Sequence, residues 1–278
     1  MIADSTVAIL GLGLIGGSLA RAVSARGARV LGDDRNVAHL DDAMQAGVVH
    51  ESLGRDLAGI EEADVVVLAM PVDATCLALP VLARRATRAR LLMDVASTKR
   101  SVVRCAEEAG VGARFVGAHP LAGSHRSGFG AGRACLFTGA RVFLCPATST
   151  TPTALRSAER FWGELDACTE ALDAGVHDDE MAWRSHLPHF MASALACTLD
   201  DAGIPRSTLG PGGRDMSRLA GSSTAMWSAI AADNAEAITT ALLAYEEKLR
   251  EFRDAIAGRN VSAMRSLLDA GREWFEAS

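Results

Sequence analysis

Aromatic side chains make up only 5% of the 278 residues, with a single tyrosine. That scarcity, with no basic stripe along the chain, argues against a base-stacking or phosphate-tracking surface for nucleic acid. No apolar run approaches the roughly 20 residues of a membrane-spanning helix. The opening Met1-Ile2-Ala3-Asp4-Ser5-Thr6 lacks the basic segment of a secretory leader, and no polybasic tail offers itself to a lipid surface. The six cysteines, Cys76, Cys105, Cys135, Cys145, Cys168 and Cys197, never form a Cys-x-x-Cys pair. Neither zinc nor a redox motif is therefore expected, and reduced thiols in a cytoplasmic protein are the expectation. Charge of one sign is not in excess either, the net being −6 with both signs interspersed.

What is present is apolar, at 49% of residues, enough for a sizeable core. Val7-Ala8-Ile9-Leu10 reads as a buried strand and leads into Gly11-Leu12-Gly13-Leu14-Ile15-Gly16. A helical pattern follows to Gly27, then the strand-like Arg29 to Asp33, then Asp34 and Arg35. Strand, G-x-G-x-x-G, helix, strand and acid in this order form a dinucleotide-binding fingerprint. Gly11 permits the tight turn, Gly13 lets backbone approach a pyrophosphate, and Gly16 lets helix and strand pack closely. Leu14 and Ile15 open the helix whose free N–H groups face the phosphates. Asp34 is placed to accept from the adenine-ribose hydroxyls, which favours NAD, while Arg35 keeps NADP open by offering a cation to a 2′-phosphate.

The alternation continues through Asn36–Ala46 (helix), Ala63–Ala69 (buried strand), a helix after Met70-Pro71 with Asp73 as its N-cap, and Leu91–Val95 (strand). Met70 and Pro71 fall at a strand's carboxyl end, where backbone lines the cofactor site. Ser97 leaves the next strand, either as an ordinary helix cap or as a hydroxyl beside the cofactor's reactive end. Lys99 reads as a solvated side chain, the alternative being a cation that neutralises a substrate or cofactor charge. Phe115–Ala118 then delivers His119 to a strand end, with Pro120 closing the strand. An imidazole there can take a proton near neutral pH and return it; the alternative is a structural histidine at a turn. Ser124, His125 and Arg126 follow in a glycine-bounded loop. Leu136-Phe137 and Arg141–Cys145 are expected as further strand, Thr153–Glu164 as helix, and Ala167–Leu172 as a last strand.

After Asp173 the strand signal stops. The pattern from His177 to Leu199 is one long helix interrupted by Pro188, and further helices are expected over 225–230, 235–256 and 261–275. The fold class is thus α/β, a Rossmann-type dinucleotide-binding domain over 1–173 followed by an all-helical substrate and dimerisation domain over 174–278, with a homodimer expected. His186 and His189, three apart, lack a carboxylate or cysteine at ligand spacing, so no metal is expected. Arg214 and Arg218 stand i, i+4 on one helix face, suited to a dicarboxylate, or else balance Asp215 at the surface.

Taken in order, Gly11–Ser18, Asp94–Lys99, Gly117–Gly128, Ser185-His186-Leu187-Pro188-His189 and Gly213–Trp227 resemble the prephenate/arogenate (cyclohexadienyl) dehydrogenase family of tyrosine biosynthesis. The resemblance spans nearly the whole chain. It implies NAD-dependent oxidative decarboxylation of prephenate to 4-hydroxyphenylpyruvate, with hydride leaving ring C4. By the same resemblance His119 accepts the hydroxyl proton and Ser97 hydrogen-bonds that hydroxyl or the histidine. Arg218 holds the ring carboxylate and Arg214 stands near the substrate mouth. Ser124, His189 and Trp227 match positions lining the pocket, Trp227 with a possible reach across a dimer. His125 departs from the acid many members carry, which leaves side-chain selectivity open among prephenate, arogenate and 4-amino-4-deoxyprephenate. Ending at Ser278, the chain is expected to carry no appended regulatory or mutase domain. Two other classes stay open. One is a 3-hydroxy-acid or imine dehydrogenase, which usually relies on a lysine in the helical half, where Lys248 is the only one. The other is a non-catalytic NAD-binding sensor.

Overall fold

The computed structural model of the chain describes residues 1–123 and 126–277. The apolar runs become the middle of one sheet. Strands β1 (Thr6–Leu10), β2 (Arg29–Asp33), β3 (Glu51–Ser52), β4 (Val65–Leu68), β5 (Leu91–Asp94), β6 (Phe115–Pro120), β7 (Arg141–Pro146) and β8 (Cys168–Ala171) lie in the order β3-β2-β1-β4-β5-β6-β7-β8. All neighbours run parallel except β6 and β7. Strands β4 and β5 are wholly buried, as expected where helices cover both faces of a parallel sheet.

The pleat sends alternate residues to opposite layers. Val7, Ile9, Val65 and Val67 pack with α1 (Leu14–Ser24), α2 (Val37–Gln45) and, further along the chain, α5 (Pro152–Gly163). Ala8, Leu10, Val66 and Leu68 pack with α3 (Val72–Arg85) and α4 (Arg100–Glu108). The sheet order reverses between β1 and β4. That switch point, at the carboxyl ends of the strands, is where open α/β sheets bind ligands.

Beyond β8 the described residues form only helices and turns: α6 (Ala174–Met181), α7 (Leu187–Asp201), α8 (Pro211–Met216), α9 (Thr224–Asp233), α10 (Ala235–Ala257) and α11 (Val261–Glu276). None is long and apolar enough to cross a membrane. Between α6 and α7 the helix widens into a π turn, Ala182–His186. Pro188 in the first turn of α7 has no N–H for the ladder, and the wider turn accommodates that gap.

Several sequence expectations fail locally. Leu136 and Phe137 are in a turn rather than a strand, because Phe137 drops into the core edge-on to Trp162 at 5.3 Å. Asp73 is not a cap, since α3 already starts at Val72 behind Pro71. The thiols are not all reduced: Cys76 on α3 and Cys105 on α4 form a disulfide, their Cα atoms 5.4 Å apart where the helices pack side by side. The other four cysteines are free.

Candidate active site

The turn after β1 divides its labour among three glycines. Gly11 has φ +95°, and a Cβ there would strike the Ala69 carbonyl. A Cβ on Gly16 would overlap the Gly11 carbonyl oxygen, so helix and turn touch backbone to backbone. A Cβ on Gly13 would meet nothing; the space in front of the turn is open, as a bound diphosphate needs. Gly13 caps α1 with no side-chain bond and there is no acid in the first turn. The N–H groups of Leu14 and Ile15 therefore belong to the unpaired first turn of that helix. Met70 and Pro71 leave β4 beside this loop, the Met70 amide nitrogen lying 3.4 Å from the Gly11 Cβ position. Asp34 at the end of β2 accepts from the Leu12 amide at 2.6 Å and from the Asn36 amide at 2.7 Å. His39 lies 3.4 Å from the same carboxylate. Arg35 is exposed next to it.

Phe129 closes over this loop. It is buried, its ring occupies the place a Cβ on Gly17 would take, and the Arg21 guanidinium sits over it at 4.1 Å. The Arg133 amide donates to Ser18 Oγ at 3.0 Å. Phe129 and Arg133 are thereby pinned to α1.

Two parallel strands bring Ser97 and His119 to one edge. Asp94 of β5 pairs with Gly117 of β6, so Ser97 lies three residues beyond that pair and His119 two. Ser97 is not the cap of α4, which begins only at Arg100. The capping acceptor comes from 79 residues away: Asp178 on α6 accepts from the amides of Lys99 at 2.8 Å and Arg100 at 2.9 Å. Lys99 is not solvated. It is fully buried, paired with Asp94, and donates to the Ala118 carbonyl at 2.9 Å.

Behind His119 stands a chain of bonds. His119 Nδ1 lies 2.8 Å from His177 Nε2, and His177 Nδ1 lies 2.8 Å from Asp178 Oδ1. His177 is fully buried and edge-on to Phe143 of β7 at 5.5 Å. Burial, then the nearby His177, Lys99 and His186, push the His119 imidazole well below the ordinary histidine value. It is therefore neutral near pH 7 and can accept a proton. Burial works to raise the Asp178 carboxyl, but the bonds from His177 and from the two amides outweigh it and hold the group below its usual range.

In the helical half several rings pack together. His189 and Trp227 stack face to face, ring centroids 3.5 Å apart and planes 4° apart, within one chain. His186 meets the same indole edge-on at 5.9 Å. Asn234 ties this ring cluster to the relay, donating to the Asp178 carbonyl at 2.7 Å and lying 3.3 Å from His186 Nδ1. Arg214 and Arg218 do not share a helix. Helix α8 ends at Met216, Ser217 turns back to the Gly213 carbonyl, and Arg218 opens a separate turn that packs on α7. The turn separates their guanidiniums: Arg214 donates to the Ser207 carbonyl at 3.1 Å, whereas Arg218 is exposed with no bond to another described residue. Neither arginine pairs with Asp215 among the described residues. Ser124 and His125 lie outside the described residues. Among the described residues no group of three or more His, Cys, Asp or Glu could hold a metal ion.

Sequence reasoning missed His177, Asp178 and the buried role of Lys99. The one available signal was the adjacent His177-Asp178 pair just after Asp173, which caps α6 by accepting from the Gly175 and Val176 amides.

Residues 19–171 match the family model described as prephenate dehydrogenase, nucleotide-binding domain, and residues 173–270 match prephenate dehydrogenase, dimerization domain. The chain belongs to the prephenate dehydrogenase family, a family of oxidoreductases. Prephenate dehydrogenase of Bacillus subtilis is 34% identical over 255 residues, covering 88% of this chain and 68% of that one. Prephenate dehydrogenase from A. aeolicus, solved in complex with hydroxyphenyl propionate and NAD+, superposes with a TM-score of 0.89 at 27% identity, covering 99% of each chain. Arogenate dehydrogenase of Synechocystis has a TM-score of 0.82 at 26% identity, covering 98% of this chain and 99% of that one. The two regions characteristic of the family meet at His119: the imidazole lies in the first matched segment and its partners, His177 and Asp178, in the second.

Proposed function

We propose that the chain oxidises prephenate to 4-hydroxyphenylpyruvate and carbon dioxide, with NAD as hydride acceptor. The observation that carries this reading is a neutral, buried-backed His119 at a strand end beside an open glycine turn. Bound NAD would supply the acceptor for the hydride leaving ring C4. The turn at Gly11, Gly13 and Gly16, the amides of Leu14 and Ile15, and the backbone of Met70 and Pro71 would hold its diphosphate and adenosine. Asp34 would take the ribose hydroxyls and disfavour a 2′-phosphate, with Arg35 exposed alongside.

His119 Nε2 accepts the ring hydroxyl proton as hydride departs, and returns it to the phenolate oxygen once carbon dioxide has left and the ring is aromatic. Ser97 hydrogen-bonds the same hydroxyl or the histidine. Arg218 forks the ring carboxylate, Arg214 lies at the mouth, and His189 and Trp227 line the pocket. Family membership and the likeness to the A. aeolicus enzyme bound to a hydroxyphenyl acid and NAD+ support this substrate class. Likeness to an arogenate dehydrogenase keeps the amino-bearing substrate as the second reading.

The boundary is placed between a cofactor domain over 1–173 and a helical domain over 174–278. A homodimer fits the helical half: α11 buries none of its residues within one chain, and Val261, Leu268 and Phe275 on it are exposed. A cytoplasmic biosynthetic enzyme is the corresponding setting.

NADH formation is measured with prephenate, arogenate and 4-amino-4-deoxyprephenate side by side, for the native chain and His119→Asn. The expected result is turnover of prephenate by the native chain and a loss of about 10²- to 10⁴-fold in kcat for His119→Asn, with NAD affinity unchanged. Normal turnover by that variant overturns the assignment of the base.

A further inference from the structure

We propose that His177 is a positioning residue for His119: a neutral imidazole, oriented by Asp178, that holds the base in a single tautomer with its Nε2 lone pair facing the substrate. This rests on the reading of His119 as the base.

The Asp178 carboxylate receives three donors, His177 Nδ1 at 2.8 Å and the Lys99 and Arg100 amides at 2.8 and 2.9 Å. It sits in front of the first turn of α4, where the helix dipole favours a negative charge. An ionised carboxylate only accepts, so the proton of His177 is on Nδ1. With His177 in the neutral form proposed, its Nε2 is a bare lone pair 2.8 Å from His119 Nδ1. Two lone pairs cannot face each other at that distance, so His119 carries its own proton on Nδ1. Its Nε2 is consequently empty, the state a base must be in before reaction.

When Nε2 takes the hydroxyl proton, His119 becomes an imidazolium. Its Nδ1–H still donates to His177 Nε2, and the positive charge is balanced through His177 by Asp178. No proton need leave His119, and the same proton is available for return to the phenolate. This is the task that an orienting carboxylate performs for a catalytic histidine elsewhere, here lengthened by one imidazole.

The charged and titratable groups around His119 come from every side: His177 and Asp178 on α6, His186 on the π turn, Lys99 before α4, and Asp94 on β5 beneath Lys99. Lys99, although paired with Asp94, still lowers His119, and His186 is a neutral neighbour near pH 7. His177 is the one of these groups hydrogen-bonded to the base.

The test uses the full chain labelled with nitrogen-15, the native protein beside His177→Gln and His177→Leu. Imidazole nitrogen shifts report the tautomer, and the His119 signals are assigned by their loss in His119→Asn. The expected native spectrum has His119 protonated on Nδ1 and bare on Nε2. His177→Leu should mix the tautomers, lower kcat with prephenate about 10²-fold at unchanged KM, and move the acid limb of the pH profile. His177→Gln keeps a carbonyl acceptor for Nδ1–H and should recover most of the loss. A native His119 protonated on Nε2 overturns the proposal, as does a folded His177→Leu with native tautomer, kcat and pH profile. Because the spectrum needs no substrate, native protein inactive on all three substrates would overturn the proposed function while leaving the tautomer to be read.

Discussion

A methyl group added at Gly13 and one added at Gly16 would enter different surroundings, and the difference is measurable. At Gly13 it projects into open space where a diphosphate would lie, and at Gly16 it strikes the Gly11 carbonyl. Gly13→Ala should therefore weaken NAD binding about tenfold or more with little change in Tm, while Gly16→Ala should lower Tm by several degrees, as expected for overpacking of about 1–3 kcal/mol. Thermal melts and NAD titrations of the two variants check this. Arg218 has its guanidinium uncommitted to any described residue. Arg218→Ala should raise KM for prephenate about 10- to 100-fold, the worth of a charge-assisted bond of about 1.5–3 kcal/mol, and leave KM for NAD unchanged. The helical spacing read for Arg214 and Arg218 does not hold, whereas the glycine turn was legible in the sequence because a local motif carried it. His177 was not, because its partner is 58 residues away and a helical histidine has no local signature.

At the level of elements, the strands and first helices followed the hydrophobic pattern, since burial on both faces leaves an unbroken apolar run. The errors came where one element is completed by another. Ser97 has the composition of a helix cap, yet α4 takes its capping carboxylate from α6. Arg214 and Arg218 have helical spacing, yet the hydroxyl of Ser217 returns to the backbone and ends α8 between them. The Cys76–Cys105 link joins α3 to α4 across 29 positions, a pairing no spacing rule announces. Closing a loop of that length is worth about 3–4 kcal/mol in the chain-entropy picture. Thiol titration of the unreduced, denatured chain should count four free thiols, and reduction should lower Tm. Six reactive thiols in the native preparation would contradict the link.

Taken as a whole, the molecule places several histidines where burial keeps them neutral. Burial, over the opposing pull of Asp178, lowers His186 to about 4, and His119 is lowered well below its usual value. An unfolded chain protonates these groups near pH 6.5, so acidification favours it. Above that pH the two states bind equal protons and nothing is lost. Between about pH 6.5 and about 4 stability should fall, by at most about 1.4 kcal/mol per pH unit for each such histidine. Denaturant midpoints at neutral and mildly acidic pH test the sign, and a midpoint that rises on acidification would contradict it. The sequence disclosed the order of the two halves; it did not disclose that they interlock at α6.

That interlock constrains how the cleft can breathe. Asp178 starts helix α4 on one side and anchors the imidazole pair on the other. A swing that lifted α6 from the sheet would fray α4 and disarm the base in the same stroke.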